Sequence, residues 1–349
     1  MRRVSRSPKG DSARAAGPIS GPISGPISGP ILGPISGLLC ALVLGFPGSC
    51  PPAYADRAPR PAAPEVRLAA VAPAEDARKV IVIGLAGEVY EPDGRGAWVH
   101  RLQSSTAGAV VAAGRAGGTI FAAGEGAVYR LAANGWSAIR LVQHGKAVLG
   151  AGARSLAAVG RQLFALDQLT RGEPTRVAVA PANIVGIGAG PRAIVLLTEA
   201  GAFKLDASGA RGPRLVALPA APRHLRLISD RWAISDRGAL DLMTARLTAW
   251  PSGLAIGVAA AGPGDALAAI GASSRGGLEL VTLRAGTLER DPLGVTGTAV
   301  GVVVDRAGRA VVALEDGRIA VRDKAGWTTT TVRDESPAEH PGAAAATSN

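Results

Sequence analysis

The strongest constraint on this chain of 349 residues is a short sequence block that returns seven times. Each copy starts with a Gly, or in one case an Arg, and continues with alternating apolar residues and a polar turn. The copies begin at Gly87, Gly126, Arg161, Gly201, Gly238, Gly276 and Gly317. Successive starts lie 39, 35, 40, 37, 38 and 41 residues apart. A spacing of this size indicates one supersecondary unit repeated along the chain.

Each unit contains four short apolar stretches, separated by turns that carry Gly and Asp, which predicts four β-strands per unit. In the seventh unit the predicted strands are Ala299–Val304, Ala310–Leu314, Arg318–Val321 and Thr328–Val332. Seven such units predict an all-β fold over residues 66–333, a seven-bladed β-propeller of four-stranded antiparallel blades. If Val66–Val71 is the first inner strand, the ring closes without a strand borrowed from the far end of the chain.

Small residues and tryptophans recur at fixed places in the units. The first strands are rich in Gly and Ala, as in Gly150-Ala-Gly-Ala and Gly186-Ile-Gly-Ala-Gly. We expect these strands to lie nearest the axis, where the blades crowd and large side chains do not fit. Trp98, Trp136 and Trp327 each follow their block start by ten or eleven residues. We predict that these rings are buried between neighbouring blades, because a large aromatic ring at a repeated position favours packing.

Two of the units resemble those of known propeller families. The stretches Leu163-Phe-Ala-Leu-Asp-Gln-Leu-Thr-Arg-Gly and Val128-Tyr-Arg-Leu-Ala-Ala-Asn-Gly-Trp are similar to the repeats of pyrroloquinoline-quinone-type and sensor-type propellers. The resemblance is at the level of the fold and covers roughly residues 66–333. Such propellers serve as enzymes, receptors and scaffolds, so the fold does not fix the function. No blade carries the full Ala-Leu-Asp…Thr-Gly…Trp pattern of quinoprotein repeats, and no cofactor is predicted.

The segment before the repeats is typical of an export signal. Basic residues and a Gly-Pro-Ile-Ser run precede the apolar stretch Gly37–Phe46, which is too short to span a membrane and has the length of a signal-peptide core. Ala53-Tyr54-Ala55 fits a cleavage site, so residues 1–55 are predicted to be removed and the domain to be periplasmic or extracellular. Alternatives are a lipid anchor at Cys50, a twin-arginine signal at Arg2-Arg3, and a cytosolic protein with a disordered head. Residues 56–65 are predicted to form a Pro-rich linker, and 334–349 a disordered tail.

The sequence offers no recognisable catalytic or metal site. His100, His144, His224 and His340 are scattered without ligand spacing, and both cysteines lie in the leader. No nucleophile, zinc-protease or phosphate-loop motif occurs. We therefore predict no catalytic residue and no metal, and a binding or scaffold module. The alternative is an enzyme of the lyase or glycoside hydrolase type, with its site at the central channel.

Charge is the remaining guide to function. The chain carries a formal net charge of +11. When the strands of each blade are labelled a to d, the a–b and c–d turns share one face. Basic residues are predicted on that face at Lys79, Arg154, Arg192, Arg231 and Arg309 before strand b, and at Arg95, Arg171, Arg211, Arg246, Arg284 and Lys324 in c–d turns. The b–c turns carry acidic residues at Glu125, Glu199, Asp236, Glu315 and Asp316.

This distribution predicts a basic face for a protein or an anionic surface. A plainer interpretation is that solvated turns of an Arg-rich protein simply contain Arg. Nucleic acid is not expected as a partner, because aromatic residues are only 3% of the chain. The propeller is expected to be a monomer.

Overall fold

A computed structural model describes the repeat region of the chain. The described residues are 66–72, 76–102, 108–116, 118–124, 127–141, 146–150, 155–170, 173–190, 192–206, 213–218 and 225–332. The predicted signal, linker and tail lie outside these residues.

The described strands form seven four-stranded sheets, each built from four consecutive antiparallel strands. Blades 1 to 4 consist of β1 (Leu68–Ala72), β2 (Ile81–Gly84), β3 (Val89–Pro92), β4 (Trp98–Leu102); β5 (Val110–Ala116), β6 (Thr119–Gly124), β7 (Ala127–Ala132), β8 (Gly135–Ile139); β9 (Ala147–Gly150), β10 (Leu156–Val159), β11 (Gln162–Thr170), β12 (Glu173–Val179); and β13 (Ile184–Ala189), β14 (Ile194–Thr198), β15 (Gly201–Asp206), β16 (Arg214–Ala217).

Blades 5 to 7 consist of β17 (Arg226–Leu227), β18 (Trp232–Ile234), β19 (Gly238–Asp241), β20 (Arg246–Ala249); β21 (Leu254–Ala261), β22 (Leu267–Ser273), β23 (Leu278–Arg284), β24 (Thr287–Pro292); and β25 (Ala299–Val304), β26 (Ala310–Leu314), β27 (Arg318–Asp323), β28 (Gly326–Thr331). Two short 3-10 helices, Ala77–Lys79 and Pro263–Asp265, lie between strands a and b of blades 1 and 6. The chain is thus a seven-bladed β-propeller, as the repeat predicts.

The first strand of each blade lines the axis, and glycines allow these strands to approach one another. A Cβ atom on Gly150 would lie 2.4 Å from Cγ2 of Ile187, and one on Gly188 would lie 2.2 Å from the carbonyl oxygen of Ser229. Both contacts join neighbouring blades. The small residues of these strands are therefore needed for packing, as expected. Gly257 is an exception, because a Cβ atom there would meet only the carbonyl oxygen of Ile270, at 3.8 Å.

The core of the propeller lies between the blades. Each of the six hydrophobic clusters of the described residues joins two neighbouring blades. The three predicted tryptophans belong to this layer: Trp98 is buried in the cluster of blades 1 and 7, whereas Trp136 and Trp327 are half-buried against the clusters of blades 1 and 2 and of blades 6 and 7. Trp136 also donates a hydrogen bond from Nε1 to the carbonyl oxygen of Gly87 in blade 1, at 2.6 Å. The prediction of inter-blade packing is confirmed.

The ring closes between blades 7 and 1 without exchange of a strand. The amide of Leu68 donates to the carbonyl oxygen of Glu315 at 3.0 Å, and the cluster that contains Trp98 continues from blade 1 into blade 7. Because β1–β4 and β25–β28 each complete a sheet by themselves, closure depends on packing and polar contacts between blades.

Candidate binding face and channel

The a–b and c–d connections lie on one side of the propeller, because the strands of each blade are antiparallel. We call this side the a–b face. Four of the predicted basic residues precede a strand b: Lys79, which ends a 3-10 helix, and Arg192, Arg231 and Arg309. Arg95 lies in a c–d turn, and Arg246 begins β20. Arg284 ends β23, and Lys324 lies between β27 and β28. Arg154, Arg171 and Arg211 are outside the described residues.

Aspartates that sequence reasoning did not place on this face hold its turns. Asp93 accepts hydrogen bonds from the amides of Arg95 and Ala97, at 2.6 and 3.1 Å. Asp305 accepts from the amides of Ala307 and Arg309, at 2.8 and 3.0 Å. Each of these aspartates is followed three residues later by a glycine with positive φ, Gly96 or Gly308. The pattern Asp-x-x-Gly was therefore a usable signal for these turns.

Arg309 connects the last blade to the first. Its Nε donates to Oδ2 of Asp305 at 2.7 Å, and its Nη2 donates to Oδ1 of Asp76 in blade 1 at 2.8 Å. Asp305 is only 1% exposed, so the guanidinium and the two turn amides compensate a buried carboxylate. Arg309 thus stabilises ring closure, and these two carboxylates compensate its charge.

Arg231 is held by two carboxylates and an aromatic ring. Its Nε and Nη2 lie 3.1 and 2.9 Å from Oδ2 of Asp241, its Nη1 lies 2.9 Å from Oδ2 of Asp265, and its guanidinium stands 5.2 Å from the ring centroid of Trp232. The hydrogen bond to Asp241 and the nearby charges raise the pKa of Arg231 above its usual value. Burial alone would raise the pKa of Asp241, but the hydrogen bonds from Arg231 and from the amides of Met243 and Thr244 outweigh it, so the pKa is lowered.

Arg192 extends this network to a third blade. Its amide lies 3.3 Å from Oδ2 of Asp230, and its Nη2 donates to Oδ2 of Asp265 at 2.9 Å. Asp265 of blade 6 therefore receives arginines from blades 4 and 5. By contrast, Lys79, Arg95 and Arg246 are exposed, and no carboxylate of the described residues lies within salt-bridge distance of them.

The opposite side, which carries the b–c and d–a connections, has charges of both signs. Glu199, Asp236, Glu315 and Asp316 are there as predicted, and Glu125 is outside the described residues. Glu315 pairs with Arg67 across the ring closure. Arg318 hydrogen-bonds Asp316, which lowers the pKa of that carboxyl. Arg140, Arg237 and Arg275 are exposed on this side as well.

A cavity of about 740 Å³ occupies the centre of the ring. Residues from the inner strand of every blade line it, most of them Ala, Val, Ile or Gly. The charged lining consists of Arg115, Arg226, Arg231, Asp230 and Asp265. Sequence reasoning missed Arg115 and Arg226, which are in strand a, because the basic pattern was sought in turns. Arg192 contacts both aspartates of this lining, Asp230 through its amide and Asp265 through its Nη2.

No protein-family model and no curated protein sequence matches the chain. Solved structures do match it. The extracellular domain of a putative one-component system from B. thetaiotaomicron aligns with a TM-score of 0.53 and 11% identity, over 74% of this chain and 38% of that one. U3-55K aligns with a TM-score of 0.51 and 10% identity, over 72% and 89%. A chain of the mitotic checkpoint complex aligns with a TM-score of 0.50 and 13% identity, over 84% and 100%. At these identities the likeness shows the fold alone.

Proposed function

We propose that this propeller is a non-catalytic binding module whose a–b face docks an acidic protein segment. The observation that carries the proposal is that three aspartates of that face are buried while three of its cations are exposed. Asp230, Asp241 and Asp305 are 9%, 7% and 1% exposed and accept hydrogen bonds from within the propeller. Lys79, Arg95 and Arg246 are exposed, and none of them has a carboxylate partner in the described part of the chain.

The physical reason is that a buried, hydrogen-bonded carboxylate contributes little to the field at the surface, whereas an exposed guanidinium contributes fully. Guanidinium groups can bind a carboxylate through two parallel hydrogen bonds. Exposed cations distributed over this face also attract acidic partners over about 10 Å at 0.1 M salt. The face is therefore suited to a partner that presents several carboxylates.

Polyglutamate is a direct probe of this proposal. We expect it to bind the full chain, with an affinity that falls as salt is raised from about 0.02 to 0.3 M, because screening weakens contacts between exposed charges. The combined variant Lys79→Gln, Arg95→Gln, Arg246→Gln should lose at least about tenfold in affinity. The matched control, Arg140→Gln, Arg237→Gln, Arg275→Gln, removes the same charge from the opposite side and should bind as the parent does.

Three results would contradict the proposal. One is polyglutamate binding that is absent or indifferent to salt. Another is an equal loss in the two triple variants, which would mean that net charge alone attracts the probe. The third is binding to phosphatidylglycerol vesicles without binding to polyglutamate, which would assign the face to an anionic surface.

We further propose that the propeller is exported, as the N-terminal segment predicts. Within the described residues no helix is long and apolar enough to cross a membrane. Expression in a bacterial host followed by mass spectrometry of the N-terminus tests this proposal. A mature chain that starts at Asp56 is expected. A chain that starts at a lipid-modified Cys50 would support the anchored alternative instead, and retention of residues 1–55 in the cytosol would refute export.

A further inference from the structure

The central cavity has the properties of a small-molecule site, independently of any partner on the a–b face. Its volume of about 740 Å³ falls within the range of roughly 300–1,000 Å³ found for ligand pockets. Its wall is mainly apolar, with few charged groups. Val111 is 50% exposed although it lies in an inner strand, because its side chain faces this cavity. Apolar surface of this kind gains free energy when a ligand covers it.

Arg115 supplies a positive charge to the cavity, and no carboxylate of the described residues forms a salt bridge with it. It lies next to the last residue of β5, near the a–b mouth. A guanidinium has five N–H donors, and within the described residues Arg115 uses one, from Nη1 to the carbonyl oxygen of Lys79 at 3.4 Å. Its Nε is buried and has no hydrogen-bond partner there. Because this Nε is not accessible from the cavity, a bound anion would use the remaining Nη donors of the guanidinium.

The other charged groups of the lining compensate one another except for Arg226. Asp265 pairs with Arg231, and Asp230 accepts the amide of Arg192. Arg226 donates only to carbonyl oxygens of blade 6, at 2.7 Å for Gly257 and 3.5 Å for Ile256. Among the described residues, three arginines and two aspartates line the cavity, so this part of its wall carries one positive charge in excess.

We propose that the channel binds a small aliphatic carboxylate, with Arg115 as the residue that anchors its carboxylate group. One carboxylate balances the single excess charge, whereas a phosphate monoester would bring close to two negative charges. The fork of the Arg115 guanidinium matches a carboxylate through two parallel hydrogen bonds. The aliphatic body then lies along the Ala and Val side chains of the inner strands, where Val111 is exposed.

Calorimetric titration of the full chain with butanoate, hexanoate and octanoate tests the proposal. Affinity should rise roughly fourfold for each added methylene, which corresponds to about 0.8 kcal/mol. Octan-1-ol, which has the same body without the charge, should bind at least about tenfold more weakly than octanoate. Arg115→Gln should lower the affinity for octanoate by about 10- to 100-fold.

Two further variants separate a channel site from surface binding. Val111→Trp fills the cavity from an exposed position and should weaken octanoate binding, while its melting temperature stays near that of the parent. Arg284→Gln removes an exposed arginine of the same face that does not line the cavity, and should bind octanoate as the parent does. The proposal is overturned if octanoate does not bind, if butanoate binds equally well, or if Arg115→Gln and Arg284→Gln have the same effect. Polyglutamate binding is measured separately, so failure of one proposal leaves the other standing.

Discussion

Gly301 and Gly257 lie in the inner strands of blades 7 and 6, and Ala substitution should have opposite effects at the two positions. A Cβ on Gly301 would lie 2.5 Å from Cγ2 of Val71 and 2.8 Å from its Cβ, across the ring closure. A Cβ on Gly257 would meet only the carbonyl oxygen of Ile270, at 3.8 Å. Neither glycine has the positive φ that disfavours Ala, so space decides the outcome.

The magnitudes follow from two opposing effects. Replacing Gly by Ala stabilises by about 0.4–1 kcal/mol, because the unfolded chain loses conformational freedom. At Gly301 the new methyl group forces the inner strands of blades 1 and 7 apart, and such overpacking costs about 1–3 kcal/mol. We therefore expect Gly301→Ala to be destabilised by about 1–2 kcal/mol and Gly257→Ala to be neutral or slightly stabilised.

Thermal unfolding followed by far-UV circular dichroism measures both effects. For a domain of this size, 1 kcal/mol corresponds to roughly 2–4 °C in the melting temperature. Gly301→Ala should thus melt about 2–8 °C below the parent, and Gly257→Ala at or slightly above it. Equal melting temperatures for the two variants would refute the inference that the contact between Gly301 and Val71 limits how closely the ring can close.

Two further predictions concern single polar contacts. Trp136→Phe keeps most of the ring but loses the hydrogen bond to the carbonyl oxygen of Gly87, so it should lower the free energy of unfolding by about 1 kcal/mol. Trp136→Ala also removes the ring and should lower it several times more. An unchanged melting temperature in Trp136→Ala would contradict inter-blade packing. The pKa of Asp241 is lowered in the folded chain, so the ionised side chain stabilises the fold. This contribution to the free energy of unfolding is complete above the unfolded pKa of about 3.8 and is lost as the pH falls from there towards the folded pKa. Asp241→Asn should therefore be less stable than the parent at neutral pH but lose less stability on acidification. Urea unfolding of both proteins across this pH range measures the difference. If the free energy of unfolding depended on pH in the same way in both, the stabilising contact between Asp241 and Arg231 would be refuted.

The architecture could be predicted because it repeats. In blade 7 the predicted strands Ala299–Val304 and Ala310–Leu314 have the observed bounds. The outer strand was predicted to begin at Thr328 and begins at Gly326, because a glycine with φ of 119° lets the hairpin turn tightly and adds two residues to the strand. Alternating apolar residues thus determine which residues pair, while turn geometry determines where each strand starts.

The charges of the candidate sites could not be predicted in the same way, because their partners do not repeat. Asp265 meets Arg192 and Arg231, which belong to two other blades, and Asp76 meets Arg309 only because the ring closes. A count of basic residues before strand b treats Arg192, Arg231 and Arg309 as equal to Lys79. In the structure, carboxylates neutralise the three arginines, whereas Lys79 is exposed.

The same reasoning explains why the arginines of the channel were missed. Arg115 and Arg226 stand in inner strands, where the repeat predicts small apolar residues, and each departs from that pattern in only one blade. Each guanidinium donates to a carbonyl oxygen of a neighbouring blade, Arg226 to Gly257 at 2.7 Å and Arg115 to Lys79 at 3.4 Å, and each places a charge in the channel wall. The guanidinium that has neither a repeated position nor a carboxylate partner in the described chain, Arg115, is therefore the group in the cavity wall for which a ligand gives the best physical account.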